Sequence, residues 1–337
     1  MTRVMEPLAT RLSEARARHA LRASGLPYRG PLERASSTNN EIYLSDRHVI
    51  RINTQPDQRL RREAELYAYL PRQPWTPIAI AVGGETGADY LIVERKPGVP
   101  LAHRWPELSS EQRHKAVTSL AGHLKAIHAT TTPPAITPIE SAPQLIDAKA
   151  TPPVRPLLEG IERLAGDPNA DQAVISLTRD YVVANWTKLD GFDDDHLIHG
   201  DLTFENILWD GRDVSAIIDF EWCRGAPADL DLDVMLRCCA LPRAHVAAAF
   251  HDQTDAKDYA DVAYWLAEEY PALFSHPNLL ERLMLYALSF EVKLATMSPL
   301  PPSRPDDPTS HPYSRLIALV STGGHVVESL HRAGVTV

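Results

Sequence analysis

At 337 residues the chain exceeds one typical core and points to two lobes, or to one domain with insertions. A formal charge of −10 argues against a nucleic-acid partner, no apolar run approaches the ~20 residues of a membrane span, and three bunched cysteines (Cys223, Cys238 and Cys239) make no disulfide framework. With no signal-peptide core in Met1–Glu6, these features predict a cytoplasmic protein with reduced thiols and no membrane partner.

The charge is unevenly spread. Residues 1–98 carry 15 Lys and Arg against 11 Asp and Glu (net +4), whereas residues 99–337 carry 19 against 33 (net −14). This is either solvated surface, or an N-terminal part that faces polyphosphate and a C-terminal part that attracts a cationic small molecule.

Leu8, Leu12, Ala15 and Ala23 have helical spacing over 8–24, and Gly25-Leu26-Pro27 ends the run. Leu32 to Ser37, Asn40 to Leu44 and His48 to Ile52 read as three antiparallel strands, the last two joined by Ser45-Asp46-Arg47. The loop between the first two, Ser36-Ser37-Thr38-Asn39-Asn40, offers hydroxyl and backbone N–H donors but no glycine. Residues 58–70 are helical in pattern, with Leu66, Tyr67 and Leu70 on the buried side. Tyr90 to Glu94 is a buried strand that Arg95-Lys96-Pro97-Gly98-Val99-Pro100 breaks. A helix follows over 110–130, capped by Ser109 or Ser110, with Ala116, Leu120, Leu124 and Ile127 on one face. Residues 131–156 are rich in proline and small polar residues, which argues for an irregular connection, and helices follow over about 156–165 and 170–188.

The sharpest signal is His199-Gly200-Asp201-Leu202-Thr203-Phe204-Glu205-Asn206, flanked by the apolar runs Leu197-Ile198, Ile207 to Trp209 and Val214 to Ile218. Asp210-Gly211 is a hairpin signal that folds Ile218-Asp219-Phe220-Glu221-Trp222 back beside this polar loop. Asp201, Asn206 and Asp219 then converge as hard oxygen donors of the kind Mg²⁺ accepts. Beyond Trp222, Asp229, Asp231 and Asp233 lack the turn glycine and closing glutamate of a calcium loop. Helical patterns run over 242–252, 256–269, 278–296 and 313–333, with a proline-rich break over 299–308.

His199-x-Asp201, Asn206 five residues on, and Asp219 after a hairpin resemble the catalytic loop and metal motif of kinases. In detail they look like the aminoglycoside phosphotransferase and choline kinase branch, where HGD replaces HRD and the metal motif reads I-D-F-E. The resemblance implies an α+β, bilobal, protein-kinase-like fold. It would have a small antiparallel-sheet N-lobe over 1–98 and a larger, mainly helical C-lobe over 99–337. It further implies that Asp201 accepts the proton of a substrate hydroxyl and that Asn206, Asp219 and Glu221 hold metal, Glu221 being alternatively a brace for a neighbouring loop. Arg51 would grip the nucleotide phosphates with Glu63 as its partner, Glu65 lying on a different helix face. Ser37 and Thr38 would cover the phosphates, and backbone groups of Glu94 and Lys96 would meet the adenine. His199 would brace the loop, and Asp229, or else Asp231, would hold its backbone.

The cofactors so implied are ATP or GTP with Mg²⁺, acting in a monomer or homodimer. The partner is a hydroxylated small molecule, cationic in character, with an aminoglycoside or amino-sugar-like compound as the leading acceptor. The rivals are a choline, ethanolamine or other metabolite kinase and, from another class, a nucleotide-binding pseudokinase scaffold.

Overall fold

Alternating burial along three central segments explains the N-terminal half of the computed structural model. The structure describes residues 8–336 apart from 36, 38, 39, 71, 134–138, 140, 141, 190–195 and 303–308. Strands β1 (Glu33–Ala35), β2 (Asn40–Leu44), β3 (His48–Asn53), β4 (Ala79–Gly83) and β5 (Tyr90–Glu94) form one antiparallel sheet in the order β1-β2-β3-β5-β4. Ile50, Ile52 and Ile92 point to one face, where Ala17, Ala20 and Leu21 of α1 (Leu8–Ala23) cover them. Leu91 and Val93 point to the other, against Leu60 of α2 (Arg59–Tyr67). Because strand side chains alternate, Arg51 must share the α2 face with its cross-strand partner Leu91. β4 has no counterpart among the sequence-predicted strands. Its large side chains Ile80 and Val82 are exposed at the sheet edge and only small alanines face inward, so its burial pattern is inverted.

The chain crosses over at β6 (Val99–Pro100), which pairs with β8 (Ile207–Trp209) of the loop hairpin, and continues through the short α3 (Leu101–Arg104). In α4 (Ser110–His128) Ser109 forms a reciprocal capping box with Gln112, which resolves the choice between the two serines. Next come α5 (Arg155–Ala165), α6 (Gln172–Asn185) and β7 (Leu197–Ile198). Beyond β8 lie β9 (Val214–Ile217), β10 (Arg224–Gly225), α7 (Asp229–Ala240) and α8 (Val262–Glu269). Helix α9 (Leu279–Met297) is buried on nearly every side and packs against α5, α7 and α10 (Pro312–Thr322), as a helix apolar all round must. Among the described residues no helix is long and apolar enough to cross a membrane.

Three helical expectations fail here, the one over 256–269 dividing into a 3₁₀ turn (Ala256–Tyr259) and α8. Residues 242–252 form separate 3₁₀ turns, because few of their side chains are buried and no apolar stripe exists to fix a longer helix. The predicted helix over 313–333 is split into α10 and α11 (Gly324–Arg332), where Gly323 and Gly324 take left-handed φ values of 76° and 50°.

Gly98 sits at the crossover with φ 108°, and a Cβ there would lie 2.6 Å from the Trp209 carbonyl oxygen. Gly98→Ala should therefore cost about 2 kcal/mol, read as a lower urea midpoint at unchanged slope.

Candidate active site

The loop between β7 and β8 is shaped by the hairpin that follows it. Asp210 Oδ1 accepts the N–H groups of Arg212 and Asp213, both at 2.8 Å, and closes the turn from β8 to β9. The Ile218 N–H then reaches the Asn206 carbonyl at 2.9 Å, which sets Asp219 beside the loop. Asn206 Nδ2 donates to the Asp201 carbonyl (2.8 Å) and to Asp201 Oδ2 (3.2 Å), leaving the Asn206 amide oxygen free to face a cation. Asp219 has φ 67° and is the one non-glycine residue with positive φ among the described residues. This is a strained conformation of the kind functional sites hold in place.

His199 joins the loop to the turn that follows β9. Its Nδ1 accepts the Asp201 N–H at 3.3 Å, so Nε2 carries the proton and donates to the Ile218 carbonyl at 2.9 Å. The backbone of the loop hangs on Asp231 rather than Asp229. The two oxygens of Asp231 accept the N–H groups of His199 (2.7 Å) and Gly200 (2.8 Å), and His128 Nε2 stands 3.1 Å away. Asp229, one turn-start earlier in α7, points to α9 and is held by Arg282 (2.5 Å) and Tyr286 (3.0 Å). A two-residue step along a helix turns the side chain by roughly 200°, so Asp229 and Asp231 leave nearly opposite faces of α7.

Arg51, only 5% exposed, is the centre of a charged cluster. It donates to Glu63 Oε2 at 2.5 Å and Asp219 Oδ1 at 2.7 Å, with Glu221 Oε2 at 3.4 Å. Glu63 also accepts the Tyr67 hydroxyl (2.6 Å) and the Phe220 N–H (3.2 Å), while Glu65 is exposed. Glu221, expected to ligate metal, sits instead between Arg51 and Arg59 (3.1 Å), because the 3₁₀ turn after Asp219 swings it toward α2. Arg62 donates to the Glu221 carbonyl and the Cys223 carbonyl. Arg59 and Arg62 were not among the expected site residues. The signal that could have found them is their spacing ahead of Glu63 in a helix facing a strand cation.

Burial works against charge throughout the cluster. Burial would lower the Arg51 pKa, but Asp219, Glu63 and Glu221 together raise it, so the guanidinium stays charged. Burial and Asp219 push Glu221 up to about 7 against the pull of Arg51 and Arg59. Burial, with Asp219 adding to it, also raises Asp201 above the ordinary carboxylate range. The neutral Asn206 amide oxygen and the Asp219 carboxylate, which meets Arg51 from the sheet side, are both hard oxygen donors of the kind that suits Mg²⁺.

At the end of β5 the Glu94 N–H is committed to the Ile78 carbonyl (2.9 Å), so of its backbone groups the carbonyl remains to meet a base. The Lys96 ammonium pairs with the Glu94 carboxylate at 2.9 Å. Ser37 is exposed, its hydroxyl accepting the Asn40 N–H at 3.4 Å, and Thr38 lies outside the described residues.

A family model described as the phosphotransferase enzyme family matches residues 32–265, more than half of the chain. No curated protein sequence is matched. Among solved structures, the streptomycin–ATP–APH(2'')-IIa ternary complex is similar with TM-score 0.57 at 16% identity, over 86% of this chain and 92% of that one. The gentamicin–APH(2'')-IIa complex gives 0.56 at 14% identity over 99% and 98%. A thermostable mutant of aminoglycoside phosphotransferase APH(4)-Ia, in ternary complex with ADP and hygromycin B, gives 0.55 at 16% over 84% and 90%. At such identities the likeness speaks to the fold alone, which is the bilobal, protein-kinase-like α+β arrangement.

Asp231→Ala would leave two backbone N–H groups of the loop without acceptors, an expected loss of about 3 kcal/mol by denaturant titration. Burial favours the neutral acid at Asp231, yet the hydrogen bonds from His128 and Gly200 hold its folded pKa below the ordinary 3.8. Its stabilisation is therefore complete above that value and is lost as pH falls through the folded pKa. An acid titration of Tm should show this loss in the native protein and not in Asp231→Asn.

Proposed function

The chain belongs to the phosphotransferase enzyme family, and from that premise we propose that it moves the γ-phosphate of ATP or GTP to a hydroxyl of a small molecule. We take the acceptor to be an aminoglycoside or related amino-sugar-like compound. The observation that carries the reading is the meeting of Asp201, Asn206 and Asp219 at one loop, with Arg51 reaching Asp219 from the sheet. In this reading the boundary between the two lobes falls near residue 98, and the nucleotide lies in the cleft between them.

Asp201 orients the acceptor hydroxyl toward the γ-phosphorus and takes its proton as the new P–O bond forms and the bond to ADP breaks. The raised pKa of Asp201 makes it a better base than an exposed carboxylate. Mg²⁺ held by Asn206 and Asp219 would neutralise charge on the phosphate oxygens during transfer. Arg51 stands ready to exchange Asp219 for phosphate oxygens, which its planar fork binds as well as it binds carboxylate. Ser37 supplies a donor above the phosphates, and the Glu94 carbonyl with the Lys96 N–H receives the base. His199 and Asp231 keep the loop in register. Glu221, shared with the I-D-F-E pattern, acts through Arg51 and Arg59. The acidic balance of residues 99–337 favours a cationic acceptor, and the intact set of polar site residues speaks against a scaffold without turnover.

ADP release measured over aminoglycosides, amino sugars, choline and homoserine identifies the acceptor class, with turnover expected on an aminated sugar. Asp201→Asn should lower kcat by roughly 10³-fold with nucleotide binding retained. An unchanged rate would overturn the assignment. In the native enzyme the acid limb of kcat should lie above pH 3.8, since protonation of Asp201 at its raised pKa removes the proton acceptor.

A further inference from the structure

Arg224 opens β10 opposite Ile198 of β7, and its side chain crosses the catalytic loop at Gly200. A Cβ at Gly200 would lie 2.8 Å from Arg224 Nη1, so the absent side chain is what admits the guanidinium. Nη1 donates to the Trp222 carbonyl at 3.0 Å and Nη2 to Gln144 Oε1 at 2.8 Å. Both acceptors are neutral, and no carboxylate among the described residues pairs with this group. The acid it feels most, Asp231, has spent its oxygens on His199, Gly200 and His128. Arg51, Arg237 and Arg282, by contrast, each meet a carboxylate directly. Arg224 is half-buried, and a guanidinium partly withdrawn from water without a counter-ion is unfavourable, which an anionic ligand relieves.

Gln144 points the same way. It is 4% exposed, and Arg224, which can only donate, fixes its amide with the oxygen toward the guanidinium. Its Nε2 is buried beside that guanidinium with no partner among the described residues. Lys293 of α9 brings a second cation to the same place. Its ammonium holds the Ala142 carbonyl, two residues before Gln144, and burial together with the charge of Arg224 lowers its pKa.

We propose that Arg224, Gln144 and Lys293 form an oxyanion subsite of the acceptor cleft, which takes a carboxylate or phosphate group carried by the acceptor near its reacting hydroxyl. The subsite abuts Gly200, the residue before Asp201, and its rank as an acceptor site rests on the phosphotransfer reading. The guanidinium fork matches either oxyanion in a bidentate manner, and the acidic balance of residues 99–337 suits an ammonium elsewhere on the same molecule. The subsite thus narrows the proposed acceptor away from aminoglycosides, which carry no oxyanion, to a zwitterion: an amino-sugar acid, an amino-sugar phosphate or a hydroxylated amino acid.

The first measurement needs no turnover. Inorganic phosphate is titrated by calorimetry into the full Asp201→Asn chain saturated with Mg²⁺ and a non-hydrolysable ATP analogue. One phosphate should bind, at least tenfold more weakly after Arg224→Gln and after Gln144→Leu. Without phosphate, Arg224→Gln should not lower Tm, whereas a purely structural arginine would. No phosphate binding, or binding indifferent to both substitutions, overturns the proposal, and Gln144→Leu decides should Arg224→Gln fail to fold.

The second measurement compares ADP release on homoserine against 3-amino-1-propanol, and on glucosamine 6-phosphate against glucosamine. The anionic member should show a KM at least tenfold lower, an advantage that Arg224→Gln removes. Arg224-dependent phosphate binding without that advantage means a free anion, and sinks the acceptor assignment. No turnover on any pair sinks the phosphotransfer reading instead, while the phosphate titration still decides the subsite.

Discussion

A single buried guanidinium, that of Arg51, ties the two halves of this protein together. Strand alternation turns it away from α1 and toward α2, where it has no water to face. A charge in that position persists only with partners, and they come from two separate elements: Glu63 from α2, and Asp219 with Glu221 from the turn after β9. Glu63 in turn binds the Phe220 N–H, so the helix beside the sheet and the turn beside the loop are joined through one carboxylate. Burial first, and then the neighbouring Asp219, makes Glu63, Glu221 and Asp201 hold protons more firmly than exposed carboxylates do.

A second constraint lies beneath the loop. Gly200 and His199 expose backbone N–H groups in a place from which water is excluded, and Asp231 supplies both acceptors. His199 fastens the loop to the turn carrying Asp219, so the carboxylate and the carboxamide of one strand end meet the carboxylate of the next. Arg224 lies across this backbone and is satisfied only by neutral oxygens. Beside Gly200 the described residues thus leave the Arg224 cation without a carboxylate and the Gln144 amide N–H group without an acceptor.

Much of the fold was legible from local pattern. The Ser109–Gln112 capping box, the alternation in β3 and β5 and the Asp210-Gly211 turn each act within a few residues, and each element formed where its pattern placed it. The misses share a cause. β4 hides because its large residues face outward, residues 242–252 have no face to bury, and Gly323-Gly324 breaks a pattern that apolar spacing alone would continue. Within the site, Glu63 was separable from Glu65 by helix periodicity, whereas Asp229 and Asp231 were not separable by distance along the chain. Glu221 was read as a ligand by its neighbourhood in sequence, yet its partners are cations from another element.

What the chain order determined was the set of polar groups delivered to one loop: the spacing from His199 to Asn206 and the hairpin returning Asp219 are short-range facts, fixed by turns and strand register. What only the tertiary structure decided was which charge answers which. The partners of Arg51, Asp231 and Arg224 lie far away along the chain, and they are chosen by helix faces and by the exclusion of water. A buried ion selects its neighbours by geometry and desolvation, and neither is written in the spacing of residues.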